Sequence, residues 1–216
     1  MSDLSVSVVI PAYNEADRIR PVVEALSEAN EVLVVDDAST DDTAAVAKAA
    51  GATVISHTEN QGYIAALKDG FRAASGAVTV TMDADGEHRP ADIPRLIEPI
   101  RSGEADVVFG ARDRIPRPSE RLLNRLAGLA VDISDTGTGF RALRTSVAEK
   151  LALETACTCG TLALEAKARG AKLAEVPTPT VAVDKPRSIA WGHLPQLVWV
   201  GRWLWRVREA DSAERR

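Results

Sequence analysis

Short apolar, mostly β-branched runs recur along the chain, and most are followed by stretches whose apolar positions repeat every three or four residues. SVSVVIP (5–11), EVLVVD (31–36), ATVIS (52–56), AVTVTM (77–82) and ADVVFG (105–110) read as strands. The first is followed by a helical face of Ile19, Val22, Val23 and Leu26. Further helices are predicted over 41–50, where Asp41 or Asp42 can cap the first turn, over 61–75 ahead of Gly76, and from Pro90 onward. The strands are continuously apolar instead of alternating, which means burial on both faces. An α/β domain follows, with a mostly parallel central sheet and helices on both faces.

In such a sheet, ligands bind at the carboxyl ends of the strands. The unusual polar residues fall there: Tyr13-Asn14-Glu15 after the first run, Asp36-Asp37 after the second, and Asp83, Asp85 and Glu87 after the fourth. Extended backbone would send the last three to one side, where like charges repel and a cation would relieve them. Their hard oxygens suit Mg²⁺ or Mn²⁺ shared with substrate phosphates. The first turn, PAYNEA, lacks the glycines that a dinucleotide dehydrogenase needs for close approach of a pyrophosphate, so that class is disfavoured. Asp36 or Asp37 could hold a ribose hydroxyl in either kind of protein.

The chain has 216 residues, 45% hydrophobic and 26% charged, enough for one globular domain with a full core. A net charge of -5 argues against a general nucleic-acid binder. Residues 111–144 depart from that balance, with seven arginines against four acids. Guanidinium forks match phosphate oxygens, so this stretch is expected to receive an anion. Arg114, Arg117, Arg141 and Arg144 are expected as surface charge, and Glu165 as a solvated position on a helix. Cys157 and Cys159 are expected as reduced thiols, because the three histidines are too scattered to complete a zinc site.

No signal peptide and no membrane-spanning run are expected. All four tryptophans follow residue 190, and the segment 189–209 mixes them with arginine. That composition suits a membrane interface, or a helix packed on the domain. The expected division is a catalytic domain over 1–188 and a Trp/Arg-rich helix with a charged tail over 189–216.

The blocks VVIPAYNEADRI, VLVVDDASTDDT, NQGYIAALKDGFRAASG, VTMDADGEH, ADVVFGAR and DTGTGFRAL resemble, in order and spacing, the family 2 glycosyltransferases of GT-A fold over roughly residues 5 to 177. Dolichyl-phosphate mannosyltransferases and polyprenyl-phosphate glycosyltransferases are the branch they resemble most. The resemblance implies a metal-dependent, inverting transfer of a hexose from a GDP- or UDP-linked sugar to a polyprenyl or dolichyl phosphate, at the cytoplasmic face of a membrane. It implies that Pro11, Tyr13 and Glu15 line the base and ribose pocket and that Asp37 contacts the nucleoside. Asp83 and Asp85 match the metal-binding DxD, and Glu87 falls where the branch has glutamine. Arg112 and Arg121 would hold the acceptor phosphate; Arg125, one turn on, could join them by spacing alone. Asp135 opens a DxxSGF-like block with Thr138 where serine is usual. The stretch 175–189 departs from the family pattern, and Lys185 and Arg187 stand as replacements at the donor diphosphate.

Two other readings stay open. A saccharide hydroxyl as acceptor would need a base, for which Asp135 is the candidate. A nucleotide-sugar-binding relative without turnover would fit the altered 183–189 stretch.

Overall fold

The computed structural model describes residues 4–115, 117–155, 157–183 and 193–214. Seven strands form one sheet in the order β3-β2-β1-β4-β6-β5-β7. They are β1 (Val6–Ala12), β2 (Glu31–Asp36), β3 (Thr53–Ser56), β4 (Val78–Thr81), β5 (Val107–Ala111), β6 (Arg141–Arg144) and β7 (Leu173–Pro177). Only β6 runs against its neighbours, pairing antiparallel with both β4 and β5. The five strands expected from the sequence are all present. The pattern did not announce β6, because RALR is four residues long and begins and ends on arginine. It is a strand because it completes the ladder between β4 and β5.

The sheet has two covered faces, as continuously apolar strands require. One face carries Val8, Ile10, Val34, Val78 and Val80 against Ile19 and Val22 of α1 (Ala16–Glu24) and Leu96 and Ile100 of α4 (Ile93–Arg101). The other carries Val9, Phe109 and Leu143 against Leu67 and Phe71 of α3 (Tyr63–Ala73), Leu123 of α5 (Pro118–Ala127) and Leu162 of α7 (Thr161–Ala168). Short helices α2 (Thr43–Ala49) and α6 (Thr145–Ala148) fill the connections.

The helix α8 (His193–Glu214) packs on α5 and α7. Val200, Trp203 and Val207, three and four residues apart, enter the same core as α3 and α5. Lys185, Arg187 and Trp191 lie outside the described residues. Among the described residues, no helix is long and apolar enough to cross a membrane.

Gly70 sets the distance between α3 and the sheet. A Cβ there would overlap the Val9 side chain on the central strand. Gly70→Ala is expected to destabilise the fold by about 1–3 kcal/mol through overpacking, read as a lower urea midpoint at unchanged slope.

Candidate active site

The carboxyl ends of β1 and β2 are tied into one unit. Asn14 N–H donates to Ser39 Oγ (2.9 Å), Thr40 N–H donates to Asn14 Oδ1 (2.8 Å), and Glu15 N–H donates to Thr43 Oγ1 (2.8 Å). Asn14 and Ala38 both sit in the left-handed region, at φ 55° and 59°. Asparagine tolerates it, whereas for alanine it costs about 1–2 kcal/mol, strain of the kind held at ligand sites. Beside this unit stands Tyr13, 47% exposed and available to stack on a ring. Pro11 is half-buried in β1 opposite Val35, and the Glu15 carboxylate pairs with Arg18 at 2.6 Å.

Asp37 is placed differently from the expectation. Its Oδ1 accepts from Gln61 N (2.8 Å) and faces His57 Nδ1 (2.7 Å), while Oδ2 accepts from Gly62 N (2.8 Å). Both oxygens are committed to holding the 57–62 turn. Asp36, also buried, accepts one long bond from Ser39 N (3.4 Å) and keeps most of its accepting capacity.

The acidic triplet is also corrected. β4 ends at Thr81, and residues 84–86 form a turn with Gly86 at φ 79°. The backbone is therefore not extended through the motif, and alternate side chains no longer share a side. Among the described residues, no group of three His, Cys, Asp or Glu side chains is placed to hold an ion. Asp83 lies against Gly139, where any Cβ would overlap its carboxylate, with His88 Nε2 4.0 Å away. Asp85 accepts from Glu87 N (2.9 Å) and faces a cavity of about 1180 Å³ between α1 and α4. What fits a divalent cation here is a smaller set, Asp83 and Asp85, completed by phosphate oxygens of a ligand.

Arg112 departs most from the expectation. Its Nε donates to Asp135 Oδ2 (2.7 Å), and Nη2 donates to Asp135 Oδ1 (2.9 Å) and Glu120 Oε2 (3.0 Å). The side chain is 10% exposed and that of Asp135 1%. Burial alone would make the guanidinium easier to deprotonate, but the two carboxylates more than reverse this and hold its pKa above the ordinary arginine value. Arg112 is thus an internal counter-ion, and Asp135 is neutralised where a base would need to be free.

Arg121 is an exposed residue of α5 whose Nε and Nη2 donate to Ile115 O (3.2 and 3.1 Å). It shares a separate cleft of about 450 Å³ with Arg125, Asp132 and Glu175.

Of the arginines expected on the surface, Arg144 pairs with Asp106 and Arg117 with Glu120, but Arg141 is 1% exposed. Glu165 is buried too, accepting from Ala152 N and Leu153 N. Each is flanked by buried apolar residues, Phe140 and Ala142 for Arg141 and Leu164 and Ala166 for Glu165, and that apolar flanking is the signal the sequence offered. Thr138 is buried and accepts from Phe140 N (3.1 Å). Cys157 and Cys159 are not joined in a disulfide; their sulfurs are in hydrogen-bond contact at 2.7 Å.

The described architecture and motif order are those of the glycosyltransferases. The family model described as "Glycosyl transferase family 2" matches residues 7–163, and the chain belongs to that family. It is 32% identical over 197 residues to dolichol-phosphate mannosyltransferase of Pyrococcus furiosus, covering 81% of this chain and 56% of that one. It is 34% identical over 175 residues to undecaprenyl-phosphate mannosyltransferase of Micrococcus luteus, covering 70% of this chain and 71% of that one. Among solved structures, glucosyl-3-phosphoglycerate synthase of Mycobacterium tuberculosis superposes with a TM-score of 0.76 at 25% identity, over 94% of this chain and 81% of that one. The fold is GT-A-like, as the sequence implied.

The network around Arg112 is expected to be structural. Arg112→Ala leaves the buried Asp135 carboxylate without a counter-charge and Glu120 with Arg117 alone, and should destabilise the protein by about 3–5 kcal/mol in urea unfolding. A ligand-binding arginine would instead leave stability nearly unchanged.

His57 gives a pH signature. Burial alone would lower its pKa, but hydrogen bonds to Asp37 and to Asp69 (3.1 Å from Nε2) outweigh that and raise it. A folded pKa above the unfolded value of about 6.5 contributes stability that is full below that value. The contribution is lost as pH rises through the folded pKa. Melting temperature should therefore fall as pH rises above about 6.5, and His57→Gln should flatten that part of the profile.

Proposed function

We propose that this chain transfers a hexose from a nucleoside-diphosphate sugar to a polyprenyl or dolichyl phosphate, with inversion and with a divalent cation at the diphosphate. The observation that carries the choice of acceptor is the burial of Asp135 against Arg112. A hydroxyl acceptor must lose a proton as it attacks, and the carboxylate that could take it is engaged by a guanidinium. A phosphate monoester is already anionic near neutral pH and needs no base. The names of the Pyrococcus and Micrococcus relatives support the same choice.

In this reading Tyr13 stacks on the nucleoside, and Asp36, not Asp37, receives its hydroxyls or ring N–H. The Asp83 and Asp85 oxygens would hold Mg²⁺ or Mn²⁺; a bound cation would neutralise charge building on the departing diphosphate. The Mycobacterium enzyme has been crystallised with Mn²⁺ and UDP-glucose. An acceptor phosphate oxygen forms the new bond to the anomeric carbon from the face opposite the diphosphate. The old C–O bond breaks and its electron pair leaves with the nucleoside diphosphate. The exposed face of α8, with Val198, Arg202 and Trp205 (59% exposed), would meet the membrane surface from the cytoplasmic side. Residues 1–188 would form the catalytic part, with 189–216 as the membrane-facing appendage packed upon it.

The deciding experiment pairs donor binding with transfer. GDP- and UDP-sugars should raise the melting temperature more with Mn²⁺ than without. Asp85→Asn should abolish that difference and leave the ligand-free melt in place. The wild type should transfer sugar to a polyprenyl phosphate and not to a neutral saccharide. Metal-independent donor binding, or transfer to the saccharide alone, would sink the assignment.

A further inference from the structure

The chain has two cysteines, Cys157 and Cys159, on either side of Thr158 in the loop before α7, and the transfer chemistry uses neither. Their sulfurs stand 2.7 Å apart. That is within about 0.7 Å of the disulfide bond length, so the two side chains already meet at nearly bonding distance. No third cysteine exists to compete for either sulfur.

The backbone around the pair is held from two sides. The Gln196 amide on α8 donates to Cys157 O (2.6 Å) and Cys159 O (3.0 Å). On the other side, Gly160 N–H donates to the buried Thr136 Oγ1 (3.0 Å). These bonds keep the two sulfurs in register while no covalent bond joins them.

The two thiols are not equivalent. Cys157 is half-buried and Cys159 is buried. Cys157 Sγ accepts from Cys159 N–H (3.2 Å), and the buried Arg141 guanidinium donates to the hydroxyl of the intervening Thr158 (2.7 Å). An amide N–H on the sulfur and a cation nearby both favour a thiolate there. The contact with Cys157, and then burial, push the Cys159 thiol well above its ordinary range, so it keeps its proton. The outer sulfur is thus the one a reagent can reach, and the inner one stands where it can displace what the reagent leaves behind.

We propose that Cys157 and Cys159 form a reversible dithiol–disulfide pair, in which Cys157 attacks a small disulfide of the glutathione class and Cys159 resolves the adduct. The Cys157 thiolate, its proton released to solvent, bonds to one sulfur of the reagent. The reagent's S–S bond breaks, and its electron pair leaves on the first small thiolate. Cys159 then gives up its proton, bonds to Cys157 Sγ and expels the second small thiolate. The two small thiolates take up one proton from Cys159 and one from solvent. The protein loses two electrons and the reagent gains them. A ring closed across a single residue is strained, which makes the bridge easy to reduce again.

The test is a titration of the full chain in glutathione buffers from fully reduced to fully oxidised, followed by acid quenching, alkylation under denaturing conditions and intact mass. The wild type should pass from a form alkylated at both cysteines to a form alkylated at neither, and reduced glutathione should restore the first. Cys159→Ser should stop at a mixed disulfide on Cys157. Cys157→Ser should form an adduct at least about tenfold more slowly, because only the buried sulfur is left. In the wild type, fragment mapping at early times should find the first adduct on Cys157, a readout that needs no variant to fold. The proposal is overturned if the wild type keeps both thiols in fully oxidised buffer, or gathers glutathione adducts without closing the bridge. An early adduct on Cys159, or equal rates in the two serine variants, overturns it as well.

Discussion

The buried contact of Arg112 with Asp135 and Glu120 organises the β5–β6 half of the molecule. One guanidinium at the end of β5 holds a helix through Glu120 and the loop before β6 through Asp135. That loop delivers Gly139 against Asp83 and Phe140 stacked on His88 at 5.1 Å. Arg117 pairs with the other oxygen of Glu120, so two carboxylates meet two cations and the set is balanced in charge as well as in hydrogen bonds. Because its members are mutually satisfied, it does not compete with a ligand.

The sequence showed the frame more clearly than the site. Continuous apolar runs such as SVSVVIP can be buried only on both faces, so a parallel, doubly covered sheet followed directly. β6 and β7 escaped because RALR and LAEVP carry charges that tertiary pairing, not local pattern, makes tolerable. The pattern also marked where strands give way to loops, since apolar runs there yield to polar ones.

Side-chain roles were harder to read because they depend on partners distant in sequence. Asp37 and Asp36 are neighbours of the same type, yet Asp37 is taken by backbone N–H groups 24 and 25 residues on. Arg112 is neutralised by a carboxylate 23 residues away, whereas Arg141 is buried against the Thr158 hydroxyl. Counting arginines over 111–144 gave a net positive stretch. The structure turns that sum into three different things: an internal counter-ion, an exposed loop cap and a buried charge.

The amide of Gln196 on α8 donates to Cys157 O (2.6 Å), Cys159 O (3.0 Å) and Thr161 Oγ1 (3.0 Å). This side chain from the C-terminal helix thus fixes the loop that presents Thr158. The helix acts as a lever whose short arm ends in that loop. A tilt imposed on its outer tryptophan side would pull on three bonds at once, so where the helix rests and how the loop over 157–161 is shaped are a single mechanical variable.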